Sequence, residues 1–316
     1  MDELSGKSSL PAGAARGRRA PDGYYQKRRA RDRLSFIFLA APALAWYVLL
    51  MAWPIANMFY ISVLHWEGLL LPRRFIGLQN FQHLLADPHF WNAVANTGIH
   101  LLVAVPGTLL PAFVLGFFLS QRQPGYRLLR VIYFSPGMLS LAVAAMTFQG
   151  IYLPQGLLNG LLQAIGLGSL TRVWLADPQT ALGAIIAIDL WGGIGWNAVL
   201  FFAALSEVSE ELYEAARLDG AHPWTVMWRI AFPIILDFVG VLAVLQTLWI
   251  LLGSGGNVYL LTKGGPGDAS LTLSYMVLQQ GLTPSTHLGY SQAIAVVLFV
   301  IGFVSLLVIR RVTRPA

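Results

Sequence analysis

Residues 207–236 read EVSEELYEAARLDGAHPWTVMWRIAFPIIL, a polar, charged stretch in a chain that is otherwise strongly apolar. Ser209 is a favoured N-cap residue, and the glutamates after it favour the positive end of a helix dipole. Gly220 suits the left-handed backbone that ends a helix, Pro223 suits the first turn of a second helix, and Pro233 breaks that helix. The stretch therefore predicts two short helices joined by a tight turn along a membrane surface.

The composition around this stretch is that of a membrane protein. Of 316 residues, 56% are hydrophobic and 11% are charged, whereas about 25% of residues are charged in an average soluble domain. A helix needs about 20 mostly apolar residues to cross the hydrocarbon core of a bilayer. Six such runs predict an all-α, polytopic protein with six transmembrane helices: Leu34–Leu64, Gly98–Ser120, Leu129–Tyr152, Ala181–Leu205, Ile234–Leu261 and Gly289–Ile309.

The basic residues are concentrated on one side of these predicted spans. Residues 1–33 are predicted to be a disordered basic tail, and residues 34–316 a transmembrane domain. If the tail is cytoplasmic, only four of the 21 basic residues fall outside the cell: Arg73, Arg74, Arg172 and Lys263. Because cytoplasmic flanks carry the excess of Lys and Arg, both termini are predicted to be cytoplasmic. A nucleic-acid-binding arm is the weaker interpretation, since the tail abuts a membrane segment.

The order of residues within 207–236 resembles the EAA loop of ABC-importer permeases, carried here by Glu214-Ala215-Ala216, Gly220, Ile230 and Phe232-Pro233. The string YEAARLDGA at residues 213–221 is similar to the form found in the carbohydrate-uptake branch. The resemblance implies the type I ABC importer permease fold, with a cytoplasmic loop that docks in a cleft of a separate ATPase subunit. The residues it implies for this coupling are Glu214, Ala215, Ala216, Asp219 and Gly220. From the residues alone, an ordinary amphipathic connector remains an alternative.

Similarity to the amino-terminal-type permease of that branch extends over most of the chain after the tail. It includes the strings FIGLQNF at residues 75–81, YFSP at residues 133–136 and TKGGP at residues 262–266. Two positions depart from the family pattern. Phe232 replaces the usual leucine before the proline, and Asp237 stands where the branch often has a second proline, which leaves the start of the fifth span open.

The family resemblance also implies an assembly. It implies that the chain is a membrane subunit of a bacterial importer for a sugar, oligosaccharide or sugar derivative, in the cytoplasmic (inner) membrane. The expected partners are a second permease subunit, two ATPase subunits and an external solute-binding protein, and no nucleic acid. The string Gly6-Lys7-Ser8 supplies only the second half of a phosphate-binding loop. ATP and Mg are therefore expected on the partner ATPase, with no cofactor on this chain, which is expected not to be an enzyme.

Polar groups inside membrane spans are costly, and their positions therefore nominate a substrate pathway. In the fourth predicted span, two glycines and a tryptophan follow Asp189 at spacings of three, four and seven residues, which places all of them on one face of the helix. In the fifth predicted span, Gln246 and Trp249 form a similar stripe. The candidates are Asp189, Gly192, Gly193, Trp196, Gln246 and Trp249, with Asn197, Asn257 and Gln292 as weaker ones. Asp189 has an alternative role, which is a bond to a neighbouring helix.

Two segments on the predicted outer side have their own character. The aromatic segment from Phe75 to Trp91 predicts an interfacial helix, which anchors the chain at the headgroup level or docks a partner. The segment Thr262–Leu288 contains Lys263-Gly264-Gly265-Pro266-Gly267, which is too rich in glycine and proline for a helix. This segment is predicted to be an external loop.

Two other function classes are weaker alternatives. An ion-coupled secondary transporter would need membrane carboxylates and usually internal repeats, but Asp189 is the only carboxylate well inside a predicted span. An intramembrane enzyme would need a reactive constellation, but the histidines are scattered and the chain has no cysteine. Transport powered by a partner subunit is the function that the sequence favours.

Overall fold

The structure is a computed structural model that describes residues 38–68, 70–282 and 287–313. The predicted basic tail, residues 1–33, lies outside these residues. The chain separates into two compact units, Met1–Ala56 and Asn57–Ala316. Helix α1, Phe38–Ser62, includes the described part of the first unit and contains a π-helical turn at Val48–Ala52.

The first unit is apolar and has no buried residue among those described. Every residue from 38 to 56 is exposed in the isolated chain, although the segment is rich in leucine and aromatic side chains. Large exposed apolar surfaces of this kind are rare on soluble proteins and are typical of contact with lipid or a partner subunit. The predicted first span is therefore present as a helix with the surface of a membrane segment.

The second unit, as far as it is described, is helical apart from connecting loops and one short antiparallel hairpin. Its elements are β1 (Leu64–His65), β2 (Arg74–Phe75), α2 (Gln79–Ala86), α3 (Pro88–Ser120), α4 (Tyr126–Phe134), α5 (Leu141–Ile151), α6 (Leu157–Ala164), α7 (Ala181–Ser206), α8 (Glu210–Leu218), α9 (Pro223–Ile234), α10 (Leu236–Leu252), α11 (Gly255–Leu261), α12 (Leu273–Leu282) and α13 (Leu288–Thr313).

The lengths and composition of the described helices allow four to six membrane spans. Among the described residues, four helices are long and apolar enough to cross a membrane, and two bent helix pairs raise the number to six if each pair is one span. Helix α7 begins at the predicted residue and ends one residue later than predicted. Helix α3 begins ten residues before the predicted Gly98, because Pro88 occupies its first turn and the Asp87 carboxylate accepts a hydrogen bond from the His89 backbone N–H.

The predicted third span, Leu129–Tyr152, is present as two helices and not as one. Helices α4 and α5 are separated by a 3₁₀ turn at Ser135–Met138, and the pair is bent by 98°. Pro136 and Gly137 form the middle of this turn, and the Ser140 hydroxyl then caps α5 by accepting from the Val143 N–H. The polypeptide remains apolar through the bend, so hydropathy alone does not reveal it.

The predicted fifth span, Ile234–Leu261, is also divided. Helix α9 is bent by 77° against α10, and α10 ends at Leu252 before α11 begins at Gly255. The bend follows Pro233, and the later break contains Gly253, because glycine favours departures from helical geometry. Asp237 left the start of this span open in the sequence. In the structure, α10 begins at Leu236, one residue before Asp237.

The core of the second unit is built on α3 and α7, which pack along each other over much of their length. Small residues allow this close approach, since Ala112 and Ala198 are fully buried and a Cβ on Gly116 would lie 2.6 Å from the Phe201 Cβ. Helix α3 is 33 residues long, about 50 Å at 1.5 Å per residue. It therefore connects two core clusters, one at each end of the unit.

The two segments predicted to lie on the outer side differ in part from the predictions. The aromatic segment from Phe75 to Trp91 is not one interfacial helix, because β2 contains Phe75 and the helix that follows is only eight residues long. The Asn80 side-chain NH₂ donates to the Ser62 and Leu64 carbonyls, which fixes that helix against the hairpin. The predicted external loop contains helix α12, although its glycine-rich part is indeed a turn.

Candidate functional site

Helices α8 and α9 form the predicted helix–turn–helix. Ser209 precedes α8, Gly220 has φ +74° in the turn, and α9 begins at Pro223. The Ala221 N–H donates to the Ala216 carbonyl, and the Gly220 N–H donates to the Arg217 carbonyl. These two bonds are those of a Schellman motif, which requires a left-handed residue where Gly220 stands. The turn angle is therefore set by one glycine.

The side chains of α8 divide between an exposed face and a buried face. Glu214, Ala215 and Asp219 are exposed, whereas Ala216 and Tyr213 are buried. The five residues expected to couple to an ATPase are therefore not equivalent, because Ala216 packs against this chain's own core. Burial also raises the pKa of the Tyr213 phenol.

Aromatic side chains connect this helix pair to α3. The Tyr213 ring meets Phe117 edge-on with centroids 6.4 Å apart, and Phe113 lies 5.2 Å from Phe232 and 5.3 Å from Trp228. Phe113 and Phe117 are almost fully buried. Densely packed interiors transmit strain, and these rings give α8 and α9 such a packed contact with α3.

A cavity of about 480 Å³ lies between α7, α10 and the turn that joins α4 to α5. All six residues predicted for a substrate pathway line it, namely Asp189, Gly192, Gly193, Trp196, Gln246 and Trp249. Two of the weaker candidates, Asn197 and Asn257, also line it, whereas Gln292 does not. The helical spacing rule thus selected residues from two separate helices that meet at one cavity.

The glycines and rings of α7 shape this cavity. A Cβ on Gly192 would meet no atom within 4 Å, which is the gap expected at that position. The Trp196 ring stacks on Phe134, with centroids 5.3 Å apart and planes 19° apart, and Trp196 itself is about half exposed. Pro136 and Gly137 form a further part of the wall. The sequence did not nominate these two residues, because their place depends on how the broken third span folds back.

The polar groups of the cavity wall are largely bonded to each other. The Asn257 Nδ2 donates to Asp189 Oδ1 at 2.9 Å, and the Trp249 Nε1 donates to the same oxygen at 3.4 Å. The Gln246 amide has two long bonds, from its Nε2 to the Thr108 hydroxyl at 3.5 Å and to its Oε1 from Asn197 at 3.4 Å. Asp189 therefore bonds neighbouring helices, which is the alternative that the sequence left open for it.

A second, larger cavity of about 810 Å³ lies at the opposite end from α8 and α9. It is formed by the hairpin, α2 and the start of α13, and its lining includes Trp66, Glu67 and Arg74. None of the predicted pathway residues lines it. Its position at the end of the unit distinguishes it from the cavity between the long helices.

The sequence from residue 26 to residue 314 matches a family described as binding-protein-dependent transport system inner membrane component. The chain belongs to this family. Its fold also matches a chain in the crystal structure of a bacterial ABC transporter involved in the import of the acidic polysaccharide alginate, with a TM-score of 0.75 and 22% identity. That match covers 92% of this chain and 98% of the other. The predicted all-α importer-permease fold is thus confirmed, and the permease is a transport component, not an enzyme.

Two relatives of the permease are similar over most of their length. The probable ABC transporter permease protein YurN of Bacillus subtilis (strain 168) is 34% identical over 85% of this chain and 91% of its own. The lactose transport system permease protein LacF of Rhizobium radiobacter is 32% identical over 79% of this chain and 84% of its own. The resemblance inferred from the EAA-type loop and neighbouring strings is therefore confirmed at the level of the family.

Proposed function

We propose that this permease conducts a neutral sugar, oligosaccharide or sugar derivative through the cavity of about 480 Å³, as one membrane subunit of an ATP-driven importer. The observation that carries the proposal is the convergence of the six predicted residues on that cavity. Sugars are commonly bound by a few placed hydrogen-bonding groups beside aromatic rings, and this wall offers Gln246 with the rings of Trp196 and Trp249. A relative named for lactose transport supports the sugar class.

The charge of the cavity favours a neutral substrate. Of the described residues that line it, none is Lys or Arg, and Asp189 is its one carboxylate. Burying an anionic group without a partner charge is strongly unfavourable. A phosphorylated or carboxylated sugar would therefore need its compensating charge from another subunit.

The exposed face of α8 is proposed to bind the ATPase. Glu214 projects into solvent and is available to pair with an arginine of that partner, since a charge-assisted bond of this kind is strong and directional. Ala215, exposed and small, permits close approach, while Asp219 and Gly220 fix the turn. Ala216 packs against the core of this chain and so supports α8. ATP and Mg bind to the partner ATPase in this proposal, and this chain binds no cofactor.

The proposed complex contains this permease, a second permease, two ATPase subunits and an external solute-binding protein. The concentration of basic residues on one side supports an orientation with both termini in the cytoplasm of a bacterial cell. The loaded binding protein docks outside, ATP closes the ATPase dimer, and α8 and α9 carry that closure to α3. The cavity then opens outward, and hydrolysis returns it inward.

Cysteine labelling tests the pathway directly because the native chain contains no cysteine. Ala144→Cys introduces a thiol in the cavity wall, and Ser206→Cys introduces one at the exposed end of α7 as the matched control. Lactose and an alginate oligosaccharide serve as neutral and acidic probes in the complete complex. The transported sugar should slow labelling of the thiol at position 144 and leave position 206 unchanged. Equal labelling with and without a transported sugar would refute the proposed pathway.

A further inference from the structure

A close contact between a histidine and an aspartate is buried behind the cavity wall. His100 Nε2 lies 2.9 Å from Asp189 Oδ2, and the two side chains are 0% and 2% exposed. Of the described carboxylates, Asp189 is the one that is buried. His100 does not line the cavity, and it approaches Asp189 at an angle that does not satisfy hydrogen-bond geometry. The histidine therefore meets the carboxylate from the side away from the proposed substrate.

The two carboxylate oxygens of Asp189 face different helices. Oδ2 faces His100 on α3, whereas Oδ1 accepts from Asn257 on α11 and from Trp249 on α10. A buried carboxyl group is costly unless it is paired or hydrogen-bonded, so these contacts together hold the Asp189 side chain in place. Three helices are thus connected to α7 through a single side chain.

This arrangement dictates how the neighbouring groups are oriented. An amide can face a carboxylate oxygen only with its NH₂ group, because its own oxygen would be repelled. The Asn257 amide is therefore fixed with Nδ2 toward Asp189, and the Trp249 indole is fixed by its N–H. Both of these residues line the cavity.

We propose that His100 is a positioning residue: by holding Oδ2 of Asp189, it keeps Oδ1 directed at Trp249 and Asn257 and so sets the orientation of these two side chains in the cavity wall. His100 acts through Asp189 and does not itself touch the substrate. The effect on Trp249 is a property of the fold alone. The effect on transport rests on the proposed function of the cavity.

The positioning role is tested first without any substrate, by near-ultraviolet circular dichroism of the purified complex. His100→Leu removes the ring nitrogen that lies next to Asp189, and His100→Gln keeps a polar side chain at this position. The indole bands should change in His100→Leu and stay close to wild type in His100→Gln. In a Trp249→Phe background, the change caused by His100→Leu should disappear. The same spectral change in that background, or no change at all, would overturn the proposal.

Transport kinetics provide the second readout. His100→Leu should raise the KM of uptake by about tenfold with a smaller change in maximum rate, since a buried polar group left without its partner has an effect of that order. His100→Gln should restore most of the affinity. Thr97→Val is the matched control, because Thr97 is buried on the same helix but accepts its bond from the Leu273 N–H. A similar rise in KM for the control would contradict a specific role for His100.

A rescue experiment covers the case in which His100→Leu is poorly recovered. The low yield of this variant then follows from a carboxylate left buried without its partner. Adding Asp189→Asn removes that charge, and the double variant should be recovered in larger amounts than His100→Leu alone. Failure of this rescue would contradict the pairing. A confirmed spectral effect with unchanged KM would instead refute the proposed function of the cavity and leave the positioning role intact.

Discussion

Gly220 is the residue on which the angle between α8 and α9 depends most directly. Its φ of +74° is unfavourable for any residue with a Cβ, but a Cβ there would meet no atom within 4 Å. The cost of substitution is therefore conformational and not steric, about 1–2 kcal/mol for an L-residue in the left-handed region. If that strain is relieved by rotation of the turn, the population with the native angle falls about 5- to 30-fold.

A graded series at position 220 makes this expectation specific. Asparagine tolerates the left-handed region best among the other residues, alanine less, and a β-branched residue least. Sugar uptake by the reconstituted complex should therefore decrease in the order Gly, Asn, Ala, Val, and less sugar should be transported for each ATP hydrolysed. Gly220→Asp adds a negative charge to the exposed turn, next to Asp219, and for that further reason should abolish coupled transport while the protein stays in the membrane.

Gly166 provides the matched control for this series. It has φ +80° and an equally open surrounding, but it lies in the loop after α6, away from α8. Gly166→Ala should have the same conformational cost without loss of coupling. Normal transport by Gly220→Val, or an equal loss in Gly166→Ala, would refute the idea that the turn angle transmits motion.

Three further predictions concern the partner surface, the packing and the substrate. Glu214→Lys should prevent ATPase binding in a pull-down assay, whereas Glu211→Lys, exposed on the same helix, should not. Gly195→Ala should lower the unfolding temperature of the purified complex by several degrees, because its Cβ would overlap the Tyr133 carbonyl oxygen, whereas Gly183→Ala, with no atom within 4 Å, should not. In competition assays, neutral oligosaccharides should inhibit uptake more strongly than acidic ones of the same length, and the reverse order would contradict the charge argument.

The sequence was most informative where local chemistry decides the structure. The turn at Gly220 follows from backbone sterics, and the bounds of α7 follow from a continuous apolar run. The 98° bend between α4 and α5 was missed because the segment stays apolar through Pro136 and Gly137. The bend is fitted to α7 in three dimensions, since the Tyr133 carbonyl occupies the space that a Cβ of Gly195 would need.

In the candidate site, too, local patterns could be predicted and long-range contacts could not. Residues on α7 and α10 could be predicted, because the spacing within one helix places them on one face. The contribution of Asn257 was underestimated, since α11 begins only after an unpredicted break. His100 was one of several scattered histidines in the sequence, and only the packing of α3 on α7 brings it against Asp189. Long-range contacts of this kind have no local pattern that would reveal them.

The central claim is that this chain is a sugar-conducting permease driven by a separate ATPase. The measurement that tests it most directly is purification of the tagged chain from its native membrane in mild detergent, followed by ATP hydrolysis assays of the reconstituted complex with and without sugar. We predict that a second permease and an ATPase co-purify, and that a neutral sugar with its binding protein stimulates hydrolysis in a way that Gly220→Asp abolishes. A chain that purifies alone and transports without ATP would contradict the account.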